Sequence, residues 1–223
     1  PQIIPSIIFI KLINDPYSVF RRPVEEKMMQ AIDQSVQSLV QPLQDSVDAE
    51  YIGEDISQLE HALQAAYWAQ KTSAPAEVVL AALFHDVGHL IAPEAPQMDG
   101  LGVMDHETIG ANFLMRHGCS KRMADLVAAH VGAKRYLCHR KPAYFQRLSE
   151  ASKGTLEFQG GPMSEDEAIA FETSPDFKYF LAIRSWDEMA KDPDAEVPDL
   201  ESYIPMLKQH IQSNTQSTGA QSC

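Results

Sequence analysis

The sequence predicts an all-α fold. Three observations carry that prediction. Apolar residues recur with a helical period almost everywhere from about Val24 onward, no segment shows the alternation of a strand, and breakers fall between the periodic runs rather than inside them. The first run spans about Pro23 to Leu43, with Pro23 suited to an opening turn. Tyr51-Ile52-Gly53-Glu54-Asp55 reads as a short loop in which Gly53 permits a tight bend. A second helix is expected from about Ser57 to Gln70 and a third from Pro75 to His89. Ile91 to Asp105 is long, rich in Pro and Gly and aperiodic, the kind of segment that often forms a functional lid. Helices follow near His106 to His117, Lys121 to Ala133, Pro142 to Glu150, Ser164 to Phe171, Asp176 to Lys191 and Leu200 to Gln212.

The ends differ from this body. Ile3 to Ile13 is apolar but carries Pro5 and Lys11, too short and broken for a spanning helix of ~20 residues. Arg21-Arg22 comes after it, not before as a signal peptide requires. Residues 1–22 are therefore expected to be an appendage, 23–212 one helical domain, and the polar stretch Ser213 to Cys223 a disordered tail. A chain of 223 residues is long enough to bury a core unaided.

A net charge of −13 argues for solubility and against a polyanion-binding surface, so nucleic acid is not an expected partner, and neither is a membrane. Bound cations would absorb part of that charge. Cys119, Cys138 and Cys223 form no Cys-x-x-Cys pattern and are odd in number, which reads as reduced thiols and a cytoplasmic location.

Chemistry concentrates in Phe84-His85-Asp86-Val87-Gly88-His89. A His-Asp pair in an apolar helix needs a partner, because an unpaired buried charge costs several kcal/mol, and a metal ion is a common one. His61, His106, His130 and Asp187 bring the donors to a number sufficient for two ions. Two ions ~3.5–4 Å apart need a bridging carboxylate, for which Asp86 is the candidate, with Asp187 completing one shell. His85 and His89, four apart, are expected to share a helix face, with Asp86 turned about a quarter of the way round. His61, between Leu59 and Leu63, is expected to point partly inward; His117, His139 and His210 have no comparable setting and read as ordinary core or surface residues. Imidazole and carboxylate suit iron, manganese or zinc, and the lack of nearby cysteine disfavours a thiolate site. Lys134 lies four after His130 and Arg184 three before Asp187. Cations at helical spacing from metal ligands imply an anionic substrate; the alternative for Lys134-Arg135 is a solvated helix end.

The order His61, His85-Asp86, His130, Asp187 resembles the HD-domain superfamily of helical metalloproteins, most of whose members hydrolyse phosphate esters. A narrower resemblance rests on longer segments: Tyr51-Ile52-Gly53-Glu54 with Ser57-Gln58-Leu59-Glu60-His61, then Leu83 to His89, then His130-Val131-Gly132-Ala133-Lys134-Arg135-Tyr136-Leu137. It continues through Leu156-Glu157-Phe158-Gln159-Gly160-Gly161-Pro162-Met163 and Ile183-Arg184-Ser185-Trp186-Asp187-Glu188. These are similar to the mixed-valent diiron oxygenases that cleave 1-hydroxyphosphonates, over about residues 50–212.

That resemblance implies an HD-domain helical bundle with a buried dinuclear site. His61, His85, Asp86 and Asp187 would hold one iron, and Asp86 would bridge to a second held by His106 and His130. One iron is ferrous and the other ferric, with O2 as co-substrate. Tyr51 would fill the second iron's open position at rest and leave when substrate binds, and Glu54 would move with it and sense an amino end. His89, Lys134 and Ser152 would bind the phosphonate, Arg184 would support that anionic side, and Gln58 would stand behind the ligands. The implied reaction cleaves the C–P bond of 2-amino-1-hydroxyethylphosphonate, giving glycine and phosphate. Asp55, where a relative carries a small residue, adds a second carboxylate at the amino end. That makes the trimethylammonium analogue, yielding glycine betaine, the rival substrate, and an HD phosphohydrolase is the rival reaction.

Overall fold

The computed structural model describes residues 18–51 and 53–220. Eleven α-helices and one short 3-10 helix occupy them: α1 (Ser18–Gln44), α2 (Gln58–Lys71), α3 (Ala76–Leu83), α4 (Val87–Ile91), α5 (His106–Arg116), α6 (Lys121–Arg140), α7 (Pro142–Arg147), α8 (Glu150–Phe158), α9 (Glu165–Glu172), α10 (Phe177–Met189), the 3-10 turn Leu200–Tyr203, and α11 (Ile204–Ala220). Among the described residues there is no strand, only two isolated bridges, Glu50 with Ser57 and Gln97 with Val103. The all-α class expected from periodicity is the class observed.

The core is built around α3. Every residue from Val78 to Leu83 is buried, which is what a helix apolar on all sides requires. Helix α2 meets it through Ala62, Ala65, Ala66 and Ala69, small enough for the backbones to approach closely. Leu126 and Val127 of α6, Ile183 of α10 and Leu207 and Ile211 of α11 close the other sides. Full burial of side chains such as Leu80, Leu83 and Phe84 contributes about 1.5–3 kcal/mol each.

Five boundaries depart from the sequence reading. The helix expected over Pro75–His89 is two helices, α3 and α4, with Phe84, His85 and Asp86 in the turn between them. Helix α6 continues to Arg140, which puts Lys134 in mid-helix. Helix α8 was not anticipated; its Gly154 is helical, and a Cβ there would come within 2.5 Å of Leu101 Cδ1. The glycine lets the irregular segment 92–105 lie directly on α8. Finally, α11 runs to Ala220, although its polar end was expected to be disordered. Ile211 anchors it in the core, and Asn214 donates to the Gly118 carbonyl at 3.1 Å. Helix α1 starts at Ser18, so Pro23 lies within it and not at its opening. Residues 1–17 and 221–223, and with them most of the expected appendage and the end of the tail, lie outside the described residues.

Candidate metal centre and adjoining pocket

Five elements deliver side chains to one point. Ser57 starts α2 with a capping box: its Oγ accepts from the Glu60 N–H at 3.2 Å, and Glu60 accepts from the Ser57 N–H at 2.6 Å, an arrangement worth about 1 kcal/mol. His61 follows in the first turn. The α3–α4 turn contributes His85 and Asp86, α5 opens on His106, α6 supplies His130, and α10 supplies Asp187. Gly88 permits the approach of α5, since a Cβ at this position would stand 1.9 Å from the His106 carbonyl oxygen.

Hydrogen bonds fix the polarity of each imidazole, because a carbonyl can only accept and an amide N–H can only donate. Nδ1–H of His61 donates to Ala190 O at 2.8 Å, that of His85 to Ala82 O at 2.8 Å, that of His106 to Val103 O at 3.2 Å and that of His130 to Val127 O at 2.7 Å. Each ring therefore turns a bare Nε2 inward, the arrangement of histidines that ligate metals. His89 is reversed. Its Nδ1 accepts from the Val103 N–H at 2.9 Å, so its Nε2 carries the proton. His89 stacks on His106 with ring centroids 3.9 Å apart, yet it offers a donor where its neighbour offers a lone pair.

The inward atoms form two groups across Asp86. Oδ2 lies 3.6 Å from His61 Nε2 and 3.4 Å from His85 Nε2, and Asp187 Oδ1 lies 3.5 and 3.9 Å from the same two nitrogens. Oδ1 lies 3.5 Å from His106 Nε2 and 3.3 Å from His130 Nε2. Two ligands each about 2.1 Å from one ion and set 90–110° apart are separated by roughly 3.0–3.4 Å, so these spacings suit a cation in each group. The Nε2 atoms of His61 and His85 face each other at 3.0 Å, as do those of His106 and His130. Two lone pairs so placed repel, and an ion between them relieves the repulsion. The residues fit two ions with Asp86 shared.

Electrostatics agree with neutral imidazoles at His61 and His106 and with ionised carboxylates. Burial and the neighbouring His85 lower His61 to about 4, and burial with His89 nearby lowers His106 well below its ordinary value. Burial alone would raise both aspartates, but His85 and His130 outweigh it at Asp86, and Arg184, His85 and His61 bring Asp187 to about 2. Burial also opposes protonation of His130, and the Asp86 hydrogen bond overcomes it and raises that group.

Beside the His106 and His130 group lies a pocket of about 70 Å³. Tyr51, Gln58, His89, Lys134, Ser152 and Arg184, all expected at the site, line it. Tyr51 stacks on His61 with centroids 3.8 Å apart. Lys134 is 4% exposed and donates from Nζ to Thr155 Oγ1 at 2.8 Å, which overturns the solvated-helix-end alternative. Burial and the adjacent Arg184 lower it to about 7. Arg184 donates from Nη1 to Asp187 Oδ2 at 2.6 Å and from Nε to Tyr144 and Glu188, both at 2.9 Å, so its guanidinium orients a ligand. Glu54 is the exception: it does not line the pocket and instead pairs with Lys191. Asp55 is exposed, and Tyr67 and Trp68 lie away from the pocket.

Comparison with known proteins places this geometry. The HD domain family model matches residues 58–169. The chain is 42% identical over 165 residues to the [1-hydroxy-2-(trimethylamino)ethyl]phosphonate dioxygenase (glycine-betaine-forming) of Leisingera caerulea, covering 74% of this chain and 84% of that one. It is 40% identical over 170 residues to the hydroxymethylphosphonate dioxygenase of Gimesia maris, covering 75% and 84%. An uncharacterised protein of Acanthamoeba polyphaga mimivirus is 35% identical over 208 residues, 92% of this chain and 94% of that one. The chain belongs to the HD-domain phosphonate dioxygenase family.

Within this HD-domain phosphonate dioxygenase family member, the HD pair is His85-Asp86, in the turn between α3 and α4. Tyr51 and Asp187 fall outside the matched HD segment. Among the pocket-lining residues that sequence reasoning missed are Thr155, Gln159 and Lys191. The first two stand three and seven after Ser152, so a helix over 150–158 would have placed them on its face. Gln159 Oε1 is buried without a hydrogen-bond partner. Lys191 stands four after Asp187, beyond the end of α10. No helix among the described residues is long and apolar enough to cross a membrane.

Proposed function

We propose that this protein is a dinuclear iron oxygenase that uses O2 to cleave the C–P bond of a small 1-hydroxyphosphonate. The favoured substrate is 2-amino-1-hydroxyethylphosphonate and the products are glycine and phosphate. One observation carries the proposal. Asp86 lies between a three-donor group and a two-donor group, and the two-donor group borders a pocket lined by Lys134, Arg184 and the Nε2–H of His89. A catalytic metal keeps positions open for substrate, and an anionic substrate needs cations beside them.

His61, His85 and Asp187 with Asp86 would hold one iron, and Asp86 with His106 and His130 the other, one ferrous and one ferric. Bound there, the irons supply the redox chemistry with O2 that breaks the C1–H bond and adds oxygen at C1. One hydroxyphosphonic acid and one O2 become one carboxylic acid and one phosphoric acid, so atoms and electrons balance. The chain's own side chains position and neutralise. Lys134, held by Thr155, pairs with the phosphonate, His89 donates to it from Nε2, and Ser152 adds a hydroxyl. Arg184 fixes Asp187 from the anionic side. Tyr51 covers the site on the 50s loop and moves away with Glu54 when substrate enters, and Gln58 ties that loop to α2 through the Glu50 carbonyl at 3.5 Å.

The trimethylammonium analogue is the second reading, favoured by the relative from Leisingera caerulea. Against it, Tyr51 is the one aromatic besides histidine among the described residues lining the pocket, whereas quaternary ammonium groups are usually held by several aromatic faces. The test is parallel measurement of O2 uptake and phosphate release by iron-loaded protein with both compounds and with hydroxymethylphosphonate. Equimolar uptake and release support the oxygenase. Hydrolysis of phosphate esters without O2 uptake would establish the phosphohydrolase in its place.

A further inference from the structure

The four inward histidines are not anchored alike. His61 and His85 donate from Nδ1 to their carbonyls at 2.8 Å and His130 at 2.7 Å, whereas His106 reaches Val103 O at 3.2 Å. A second acceptor stands behind the His106 ring. Glu107 Oε2 lies 3.7 Å from His106 Nδ1, and it is buried with no hydrogen-bond partner. A carboxylate in the first turn of a helix such as α5 complements the helix dipole. That gives no reason to bury an oxygen that bonds to nothing, because an unpaired buried acceptor is destabilising. Val103, for its part, serves two rings from the irregular segment 92–105: its N–H donates to His89 and its carbonyl accepts from His106. Glu107 is on the same helix as His106, so its hold on the ring does not depend on how that segment lies.

We infer that Glu107 is a positioning residue of the outer half, the carboxylate that takes the Nδ1–H of His106 once Nε2 is committed to a cation. The inference rests on the dinuclear reading of the centre and needs no particular metal or oxidation state. At 3.7 Å the two groups are short of a hydrogen bond, and a side-chain adjustment of roughly 1 Å closes the gap. An imidazole bound to a cation through Nε2 is a stronger donor at Nδ1, and a carboxylate accepts that proton better than an amide carbonyl does. The bond then fixes the ring's orientation and makes Nε2 a better ligand. His61, His85 and His130 have backbone carbonyls as their Nδ1 partners, so the support goes to one half of the centre.

The test follows ions per chain in full-length, iron-loaded protein challenged with a graded series of chelator concentrations, and repeats the series with manganese-loaded protein. Wild type should release two ions in two steps. Glu107→Ala should raise the dissociation constant of the weaker ion about 10- to 100-fold and that of the tighter ion less than about twofold. Glu107→Gln keeps an acceptor oxygen without the charge and should fall between Glu107→Ala and wild type. In His106→Ala, adding Glu107→Ala should change retention of the remaining ion by less than about twofold, because no ring is left to position. Unchanged retention in Glu107→Ala, equal weakening of both ions, or an effect that persists without His106 would each overturn the inference. A wild type that holds a single ion per chain overturns the dinuclear reading, and the inference with it.

Discussion

The two halves of the centre are made of the same residue types and differ in what stands behind and beside them. In the inner half, His61 and His85 donate to the Ala190 and Ala82 carbonyls at 2.8 Å, and Asp187 is fixed by Arg184 at 2.6 Å. In the outer half, His106 and His130 have similar backbone anchors, and the second carboxylate, Glu107, stands 3.7 Å from His106 Nδ1, on the side turned away from the inward Nε2 atoms. Their neighbours are His89, Lys134, Ser152 and Thr155 of α8, and Gln159 just past its end, which carries an unpartnered amide oxygen. The inner half has its donors and their supports complete, and the outer half has donors to spare for something that is not protein. In the proposed centre, one carboxylate, Asp86, divides the half with the fuller donor set from the half that borders the pocket.

The largest way to break the comparison is to remove what the halves share. Asp86→Ala should lose both ions and lower turnover at least ~1,000-fold, with metal analysis falling from two ions per chain to nearly none. One retained ion would show that the halves load independently. Removing a ligand private to one half separates them. Asp187→Ala and His106→Ala should each leave about one ion per chain and lower turnover on the order of 100-fold or more. Their stabilities should differ, because Asp187→Ala leaves the buried Arg184 with Tyr144 and Glu188 alone. That costs about 3 kcal/mol by the measure of a broken buried pair, seen as a lower Tm for the metal-free Asp187→Ala than for the metal-free His106→Ala.

His89 sharpens the comparison from the other side. It stacks on a ligand but presents an N–H, so His89→Ala should keep two ions per chain and raise the KM for the phosphonate about 10- to 100-fold. Loss of metal from this variant would mean that the polarity assigned through the Val103 N–H is wrong. His89→Gln, which keeps a donor, should fall between the variant and wild type.

The inner half was the more legible in the sequence. His61, His85, Asp86 and Asp187 stand out because apolar helices seldom bury such groups without an ion to hold, and that holds whatever the detailed fold. The α3–α4 break was hidden, since Leu83-Phe84-His85 is ordinary helical sequence and the turn is imposed by what Asp86 must face on both sides. His89 was placed at the site, but its polarity depends on an amide fourteen residues further on. The outer rim was the less legible part. Gly154 masked α8 and with it Thr155 and Gln159, while Glu54 carried a role in the substrate's company but sits on the far side of Lys191 in this arrangement. Ligand chemistry is written in residue types; the rim is written in how loops and short helices pack.

The smallest effect expected is also the most direct measure of the charge buried in the outer half. Lys134 has its ammonium buried beside Arg184, and burial with that guanidinium nearby lowers it from an ordinary 10.5 to about 7. Below pH 7 the folded and unfolded chains both carry that proton, so the folded state bears the whole cost of burying the charge. As the pH rises from about 7 to 10.5 the folded state sheds the proton and the unfolded state keeps it, so this group's destabilisation fades across that window. Lys134→Met carries no such proton. Metal-free Lys134→Met should therefore be more stable than wild type by about 2–4 kcal/mol near pH 6, less about 1 kcal/mol for the lost hydrogen bond to Thr155. The gap should close as the pH is raised, read by urea denaturation at a series of pH values. A gap that stays flat through the window would mean that the folded protein keeps Lys134 charged and compensated. The pocket would then already hold, within the chain, the counter-charge that the proposed phosphonate is meant to bring.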